Sequence, residues 1–226
     1  LNIDCDKTGL LAEWRSMAHR LDQLTQEVHI AMVGKYTDLS DAYLSVIKSL
    51  QHAAIAVERK LIIDWIEASD LEDSKNSEAW DLLRQANGVL VPGGFGDRGI
   101  EGKVLAAQYA RENNIPYLGI CLGLQVATIE FCRNVLNIKD ATSTEFDADA
   151  ANPAVIFMPE ISKTHLGGTM RLGSRPTIFQ VDDCIMKRLY GDVDSVDERH
   201  RHRYEINPDL VDESDAAGLK FVGKDE

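Results

Sequence analysis

Positive charge is scarce in this 226-residue sequence, with 24 Lys and Arg against 37 Asp and Glu and a net charge of -13. A surface this acidic repels phosphate backbones, which argues against nucleic-acid binding. A small zwitterionic or cationic substrate is compatible with it, as is a local basic pocket inside the acidic shell. Long apolar runs are missing too. The longest, such as Gly88 to Val91, fall far short of a membrane span. Asn2, Asp4, Asp6 and Lys7 interrupt any secretory apolar segment. The four cysteines, Cys5, Cys121, Cys132 and Cys184, match neither a zinc spacing nor a CxxC redox pair. Reduced thiols in the cytoplasm are therefore the expectation. Most such cysteines are inert packing residues, but one of them can be a nucleophile. No internal repeat, low-complexity tract or Pro-rich linker divides the chain. What is present, 44% hydrophobic and 27% charged residues, suits a soluble globular protein with a sizeable core.

Along the chain, Leu10, Trp14, Met17, Leu21 and Leu24 recur at helical spacing, which predicts a helix over residues 10–27 that acts as a linker or docking element. Strands are then expected at Val28 to Val33, Leu61 to Ile66, Gly88 to Val91 and Tyr117 to Ile120. Helices are expected from a Ser40 cap over Asp41 to Val57, then at Glu78 to Ala86, Ile100 to Glu112 and Leu122 to Val135, with a polar loop at 72–78. Strand and helix alternate, which predicts an α/β fold: a mostly parallel central sheet with helices on both faces. After residue 150 the pattern becomes a smaller, antiparallel strand region. Strands are expected at Ala154 to Met158, Gly168 to Leu172, Thr177 to Val181, Arg203 to Ile206 and Lys220 to Val222, with a short helix at Asp182 to Tyr190. Ligands of such sheets sit at the carboxyl ends of the strands, so the junctions after Val33, Val91 and Ile120 are the places to look.

Gly119-Ile120-Cys121-Leu122-Gly123 follows a strand and opens a helix, the nucleophile-elbow pattern with cysteine in place of serine. The tight turn lifts the nucleophile above the sheet, and small flanking residues prevent clashes. A thiolate at a helix N-terminus gains from the dipole and the free N–H groups, so the Cys121 pKa is expected to fall. The Leu122 N–H is placed to bind an oxyanion. The plainer reading is a buried cysteine in a glycine-containing turn. Pro92-Gly93-Gly94-Phe95-Gly96-Asp97-Arg98-Gly99 contains a formal GxGxxG. It lies on the third strand-helix unit, and no acidic residue ends the next strand to hold a ribose. A loop offering backbone N–H groups beside the elbow is the better reading, against a plain tight turn. Gly34-Lys35-Tyr36-Thr37 lacks the upstream glycine of a phosphate-binding loop.

A cysteine nucleophile usually needs a histidine base. Of His19, His29, His52, His165, His200 and His202, the last two lie in Glu198-Arg199-His200-Arg201-His202-Arg203-Tyr204-Glu205. A solvated charge run is the ordinary explanation of such a stretch. Strand alternation would put Arg199, Arg201 and Arg203 on one face and the histidines on the other. An arginine there can grip a substrate carboxylate bidentately. Spacing does not choose between base and grip.

The Pro92–Gly96 loop and Gly119-Ile120-Cys121-Leu122-Gly123-Leu124-Gln125 together resemble class I glutamine amidotransferases. Val33-Gly34-Lys35-Tyr36, Ser143-Thr144-Glu145-Phe146, Leu166 to Gly173 and Glu198 to Glu205 resemble, more narrowly, the CTP synthase family. The resemblance runs in order from about residue 10 to the end. It implies a flavodoxin-like amidotransferase domain over 28–226 with residues 1–27 as the interdomain helix. It implies Cys121 as nucleophile and the backbone of Gly94 and Leu122 as oxyanion hole. L-Glutamine would be held by Gly94, Leu122, Gln125, Glu145 and Arg203, with Glu145 on the α-amino group and Arg203 on the α-carboxylate. His200 and His202 then become structural. No metal or cofactor is implied for this domain. ATP and magnesium belong to a separate synthetase domain that receives the ammonia and converts UTP to CTP, in a homo-oligomer, a tetramer. The family's catalytic His and Glu come from a His-Pro-Glu segment, and the sequence contains none; Pro159-Glu160 follows Met158. The domain is therefore expected to be incomplete at its C-terminus and, by itself, a poor glutaminase. Two rival expectations stand beside this one: another elbow-cysteine hydrolase, such as a γ-glutamyl peptidase, and a catalytically silent regulatory domain of the same fold.

Overall fold

Segments in which nearly every residue is apolar become interior strands, because a strand covered on both faces has no solvent side to alternate toward. The computed structural model describes residues 10–37, 39–158 and 171–225. In chain order the elements are α1 (Leu10–Gln23), β1 (Glu27–Gly34), α2 (Leu44–Ala56), β2 (Lys60–Glu67), α3 (Ser77–Gln85), β3 (Gly88–Val91), α4 (Ile100–Glu112), β4 (Tyr117–Gly119) and α5 (Leu122–Asn134). They continue with β5 (Thr142–Ser143), β6 (Pro153–Phe157), β7 (Arg171–Phe179), α6 (Ile185–Leu189), β8 (Ser195–His202), β9 (Tyr204–Ile206), α7 (Val211–Ala216) and β10 (Gly223–Lys224). Two compact units result. One holds the chain up to Pro92 together with Arg98–Leu118, and the other holds Gly93–Asp97 and the chain from Gly119 on.

The first unit is a four-stranded sheet in the order β2-β1-β3-β4, with β1 parallel to both β2 and β3. Helices α2, α3 and α4 pack on it. Its core gathers Ala31, Val33, Ile66, Leu83, Val89, Val91 and Ala106. Helix α4 lies so close to the 3-10 turn Ala68–Leu71 that a Cβ on Gly102 would fall 1.7 Å from the Ala68 carbonyl oxygen. Three expectations shift here. The first helix stops at Gln23, because the chain must extend into β1 from Glu27. The helix expected from Asp41 starts as a 3-10 turn, Ser40–Tyr43, and becomes α-helical at Leu44 with Tyr43 at its N-cap. The polar loop is shorter than expected, since Asn76 caps α3 by accepting the Ala79 N–H.

Lys103 is buried in this unit at 2% exposure. Burial pushes its ammonium down to about 8, helped by Lys35 and opposed by Glu67. Its folded pKa thus lies below the ordinary 10.5, so the unfolded chain binds more protons between those two values. Stability should therefore rise as the pH climbs from about 8 toward 10.5. Lys103→Met should remove that rise and stabilise the fold at pH 7 by up to about 3 kcal/mol. Urea unfolding of both chains at pH 7 and pH 10 measures this, and a difference that does not change with pH would refute it.

The second unit contains two small sheets. In one, β6 lies between β5, to which it is parallel, and β9, to which it is antiparallel. Helix α5 packs on β6 and β9. In the other, β7 pairs antiparallel with β8 and β10. Thr177 to Val181 and the end of the Gly168 to Leu172 segment are expected as separate strands. They instead form the one strand β7, paired with β8 from Arg171↔His202 to Ile178↔Ser195. Long-range pairing overrides the local turn signals there. Residues 168–170 of that expectation, like Cys5, His165, Pro159-Glu160 and most of the Leu166 to Gly173 block, lie outside the described residues. The last expected strand falls three residues later, at Gly223–Lys224, and α7 was not anticipated.

Candidate active site

The turn from β4 into α5 is held by backbone hydrogen bonds from Gly123 N–H to Ile120 O (3.0 Å) and from Leu124 and Gln125 N–H to Cys121 O (3.1 and 3.2 Å). Closing so tightly forces Cys121 to φ 55°, ψ -107°. A side-chain-bearing residue rarely occupies this region, and the cost is about 1–3 kcal/mol. A Cβ on Gly119 would meet Gly123 and Leu124 backbone atoms at 2.5–2.6 Å, so only glycine fits below the nucleophile position. The first N–H of α5, from Leu122, favours the thiolate of Cys121.

The thiol is half-buried, and its acidity moves opposite to the expected direction. Burial pushes the pKa up, and the Glu145 carboxylate adds to the rise. The Leu122 N–H and the Arg201 guanidinium pull it down without reversing it. A helix N-terminus supplies a fraction of a charge, and desolvation of a thiolate outweighs it. Cys132 and Cys184 are buried packing residues. The Cys132 thiol is pushed up to about 11 by burial and then by Glu213, while the Cys184 sulfur accepts the Lys187 N–H.

Around Cys121 stands the glycine loop. The place a Cβ would take on Gly93 is 3.2 Å from Cys121 Cβ and 3.8 Å from its sulfur, while on Gly94 it would touch only Leu122 Cδ2, at 3.5 Å. A side chain on Gly93 would therefore run into Cys121, whereas one on Gly94 would not, a difference the spacing of a glycine pair does not reveal. Glu145 sits in a turn made by Phe146 and Asp147 N–H bonds to Ser143 O, and its own N–H donates to Ser143 Oγ at 3.1 Å. From there Glu145 Oε1 accepts the Gly96 N–H at 3.1 Å. Gln125 is buried, and its Nε2 donates to Tyr204 O at 3.2 Å.

Arg203 departs from the expected alternation. Strand β8 ends at His202, and Arg203 occupies the bend before β9. Arg199 and Arg201 are exposed, whereas Arg203 is half-buried, its carbonyl accepting the Met158 N–H at 2.9 Å. Its Nε is buried and has no hydrogen-bond partner among the described residues. A buried guanidinium N–H without an acceptor is costly, and a ligand carboxylate would satisfy it. The Tyr204 phenol is pushed up by burial and by Glu145 and pulled down by Arg203, so it feels both proposed ends of the clamp. His200 and His202 stack edge to face, ring centroids 5.5 Å apart, on the half-buried face of β8.

Among the described residues, no group of three or more His, Cys, Asp or Glu is placed to hold a metal, and no helix is long and apolar enough to cross a membrane.

Residues 38–226 match the family model described as glutamine amidotransferase class-I. The chain is 58% identical to a CTP synthase of Dictyostelium discoideum over 95% of its own length and 40% of that protein's. It is 56% identical to CTP synthase 1 of Saccharomyces cerevisiae, over 96% and 39%. It therefore spans about two fifths of the curated relatives it matches. Among solved structures it resembles the glutaminase domain of Trypanosoma brucei CTPS with bound acivicin, with a TM-score of 0.81 and 40% identity, over 87% of this chain and 74% of that one. With the elbow, the glycine loop and the basic bend in place, this chain belongs to the class-I glutamine amidotransferases, in the branch that forms the glutaminase domain of CTP synthases.

Proposed function

We propose that the domain hydrolyses L-glutamine to glutamate and ammonia through a thioester on Cys121. The ammonia would pass to a separate synthetase domain that uses ATP and magnesium to convert UTP to CTP. The observation that carries this reading is the strained backbone of Cys121 at the mouth of α5, with Gly93 packed against its side chain. The thiolate adds to the side-chain amide carbon, and the C=O electron pair moves to oxygen. That oxyanion takes the Leu122 N–H and a second N–H from the loop at Gly94, each donor worth about 3–4 kcal/mol in such sites. Collapse breaks the C–N bond, and the nitrogen leaves as ammonia with a proton from a general acid. Water then cleaves the thioester. Gln125, Glu145 and Arg203 hold the amino acid, Glu145 meeting the ammonium and Arg203 the carboxylate.

The thiol's raised pKa fits a nucleophile that is deprotonated only when a base and the substrate are in place. Covalent capture tests the reading directly, because it needs only the thiol and the clamp. Acivicin should label Cys121, and L-glutamine should protect it. Labelling of Cys132 or Cys184 at equal rate would reject the assignment. Arg203→Ala should raise the glutamine concentration needed for half protection by about 10- to 100-fold, the loss of one charge-assisted contact. Unchanged protection would remove Arg203 from the clamp.

A further inference from the structure

Arg201 lies outside the proposed glutamine contacts, yet it reaches the same site. It projects from β8 opposite Leu172, and its guanidinium carbon lies 5.6 Å from the centre of the Phe95 ring. Phe95 belongs to the glycine loop that packs Gly93 against Cys121. The next residue of that loop, Gly96, is held by Glu145. The loop is therefore gripped by a carboxylate at Gly96 and by a guanidinium at Phe95. We propose that Arg201 is a positioning residue for the Cys121 reaction: stacked on Phe95, it holds the glycine loop against the elbow. This rests on Cys121 being the nucleophile.

The charges acting on the thiol support it. Glu145, from the turn after β5, opposes the thiolate, and Arg201, from β8, favours it. Arg203 and Tyr204, beyond the end of β8, are coupled to one another and, through Tyr204, to Glu145. Without Arg201, the Glu145 carboxylate would act on the sulfur with no side-chain cation among the described residues to offset it. Among the described residues, Arg199, two positions earlier on the same exposed face, neither stacks on a ring nor acts on Cys121. A solvated charge run accounts for Arg199 and not for Arg201.

The test reads the pH dependence of Cys121 alkylation by iodoacetamide, followed by mass mapping of the labelled peptide. Arg201→Gln should move the midpoint up by about half a pH unit, which is about a threefold slower reaction below the midpoint. Phe95→Leu, which frees the guanidinium from its seat, should move it in the same direction by less. Arg201→Lys keeps the charge and should lie between wild type and Arg201→Gln. Arg199→Gln should leave the midpoint in place. An unshifted midpoint in Arg201→Gln, or an equal shift in Arg199→Gln, overturns the proposal. Because alkylation reports on the thiol without glutamine, these outcomes are separate from the acivicin experiment, whose failure would instead remove Cys121 as nucleophile.

Discussion

Cys121→Ala should abolish the proposed glutamine-dependent ammonia release, a loss on the order of 10⁴-fold or more, as when other covalent nucleophiles are removed. Labelling by a glutamine-mimicking electrophile disappears with it. The fold should survive. The hydrogen bonds that close the elbow use the Ile120 and Cys121 carbonyls and the N–H groups of Gly123, Leu124 and Gln125, none of which involves the thiol. Alanine at φ 55° carries the same backbone strain as cysteine. In the proposed reading free ammonia should still support CTP formation, because the substitution removes the source of ammonia and not its consumer. Retained glutamine use in Cys121→Ala would end the assignment.

The second large effect concerns the residue two positions earlier. Gly119→Ala places a methyl group 2.5–2.6 Å from the backbone of Gly123 and Leu124, atoms that cannot swing aside as a side-chain tip can. Overpacking usually costs about 1–3 kcal/mol, and a clash with backbone at the mouth of α5 should reach or exceed the top of that range. The elbow must open to relieve it, which displaces the Leu122 N–H that favours the thiolate. Urea unfolding should show the lost stability, and the rate of Cys121 labelling by the glutamine mimic should fall in parallel. Gly94→Ala is the control, since its methyl would make only an ordinary 3.5 Å contact with Leu122 Cδ2. If Gly119→Ala unfolds no more easily than Gly94→Ala, the close approach of β4 and α5 is not as described.

Much of this was legible from residue types alone. Ile100–Glu112 has the bounds that its apolar periodicity and the following Asn113, Asn114 and Pro116 predict, and Gly88–Val91 matches a run stopped by Pro92. These elements are bounded by local chemistry, and local chemistry is what a sequence displays. The same holds for the elbow, where two glycines around a cysteine leave the chain few ways to turn. Strand β7 is continuous through Gly173 and Pro176, residues whose local preference is for turns. Their pairing partners, His200 and Asp197, lie more than twenty residues further along the chain, so nothing near them signals a strand.

By itself, the sequence determined that a cysteine would stand between a strand and a helix, beside a glycine loop and a basic stretch, in an α/β fold. Only the tertiary structure decided that Gly93 rather than Gly94 leaves no room for a side chain beside Cys121, that the strand breaks at Arg203, that Glu145 reaches across to Gly96, and that the Cys121 thiol pKa is raised rather than lowered. The reason is the range of the forces involved. Turn and helix preferences act within a few residues and leave their mark in the order of amino acids. Desolvation and the fields of Glu145 and Arg201 depend on distances between segments far apart in the chain, and those distances exist only after it has folded.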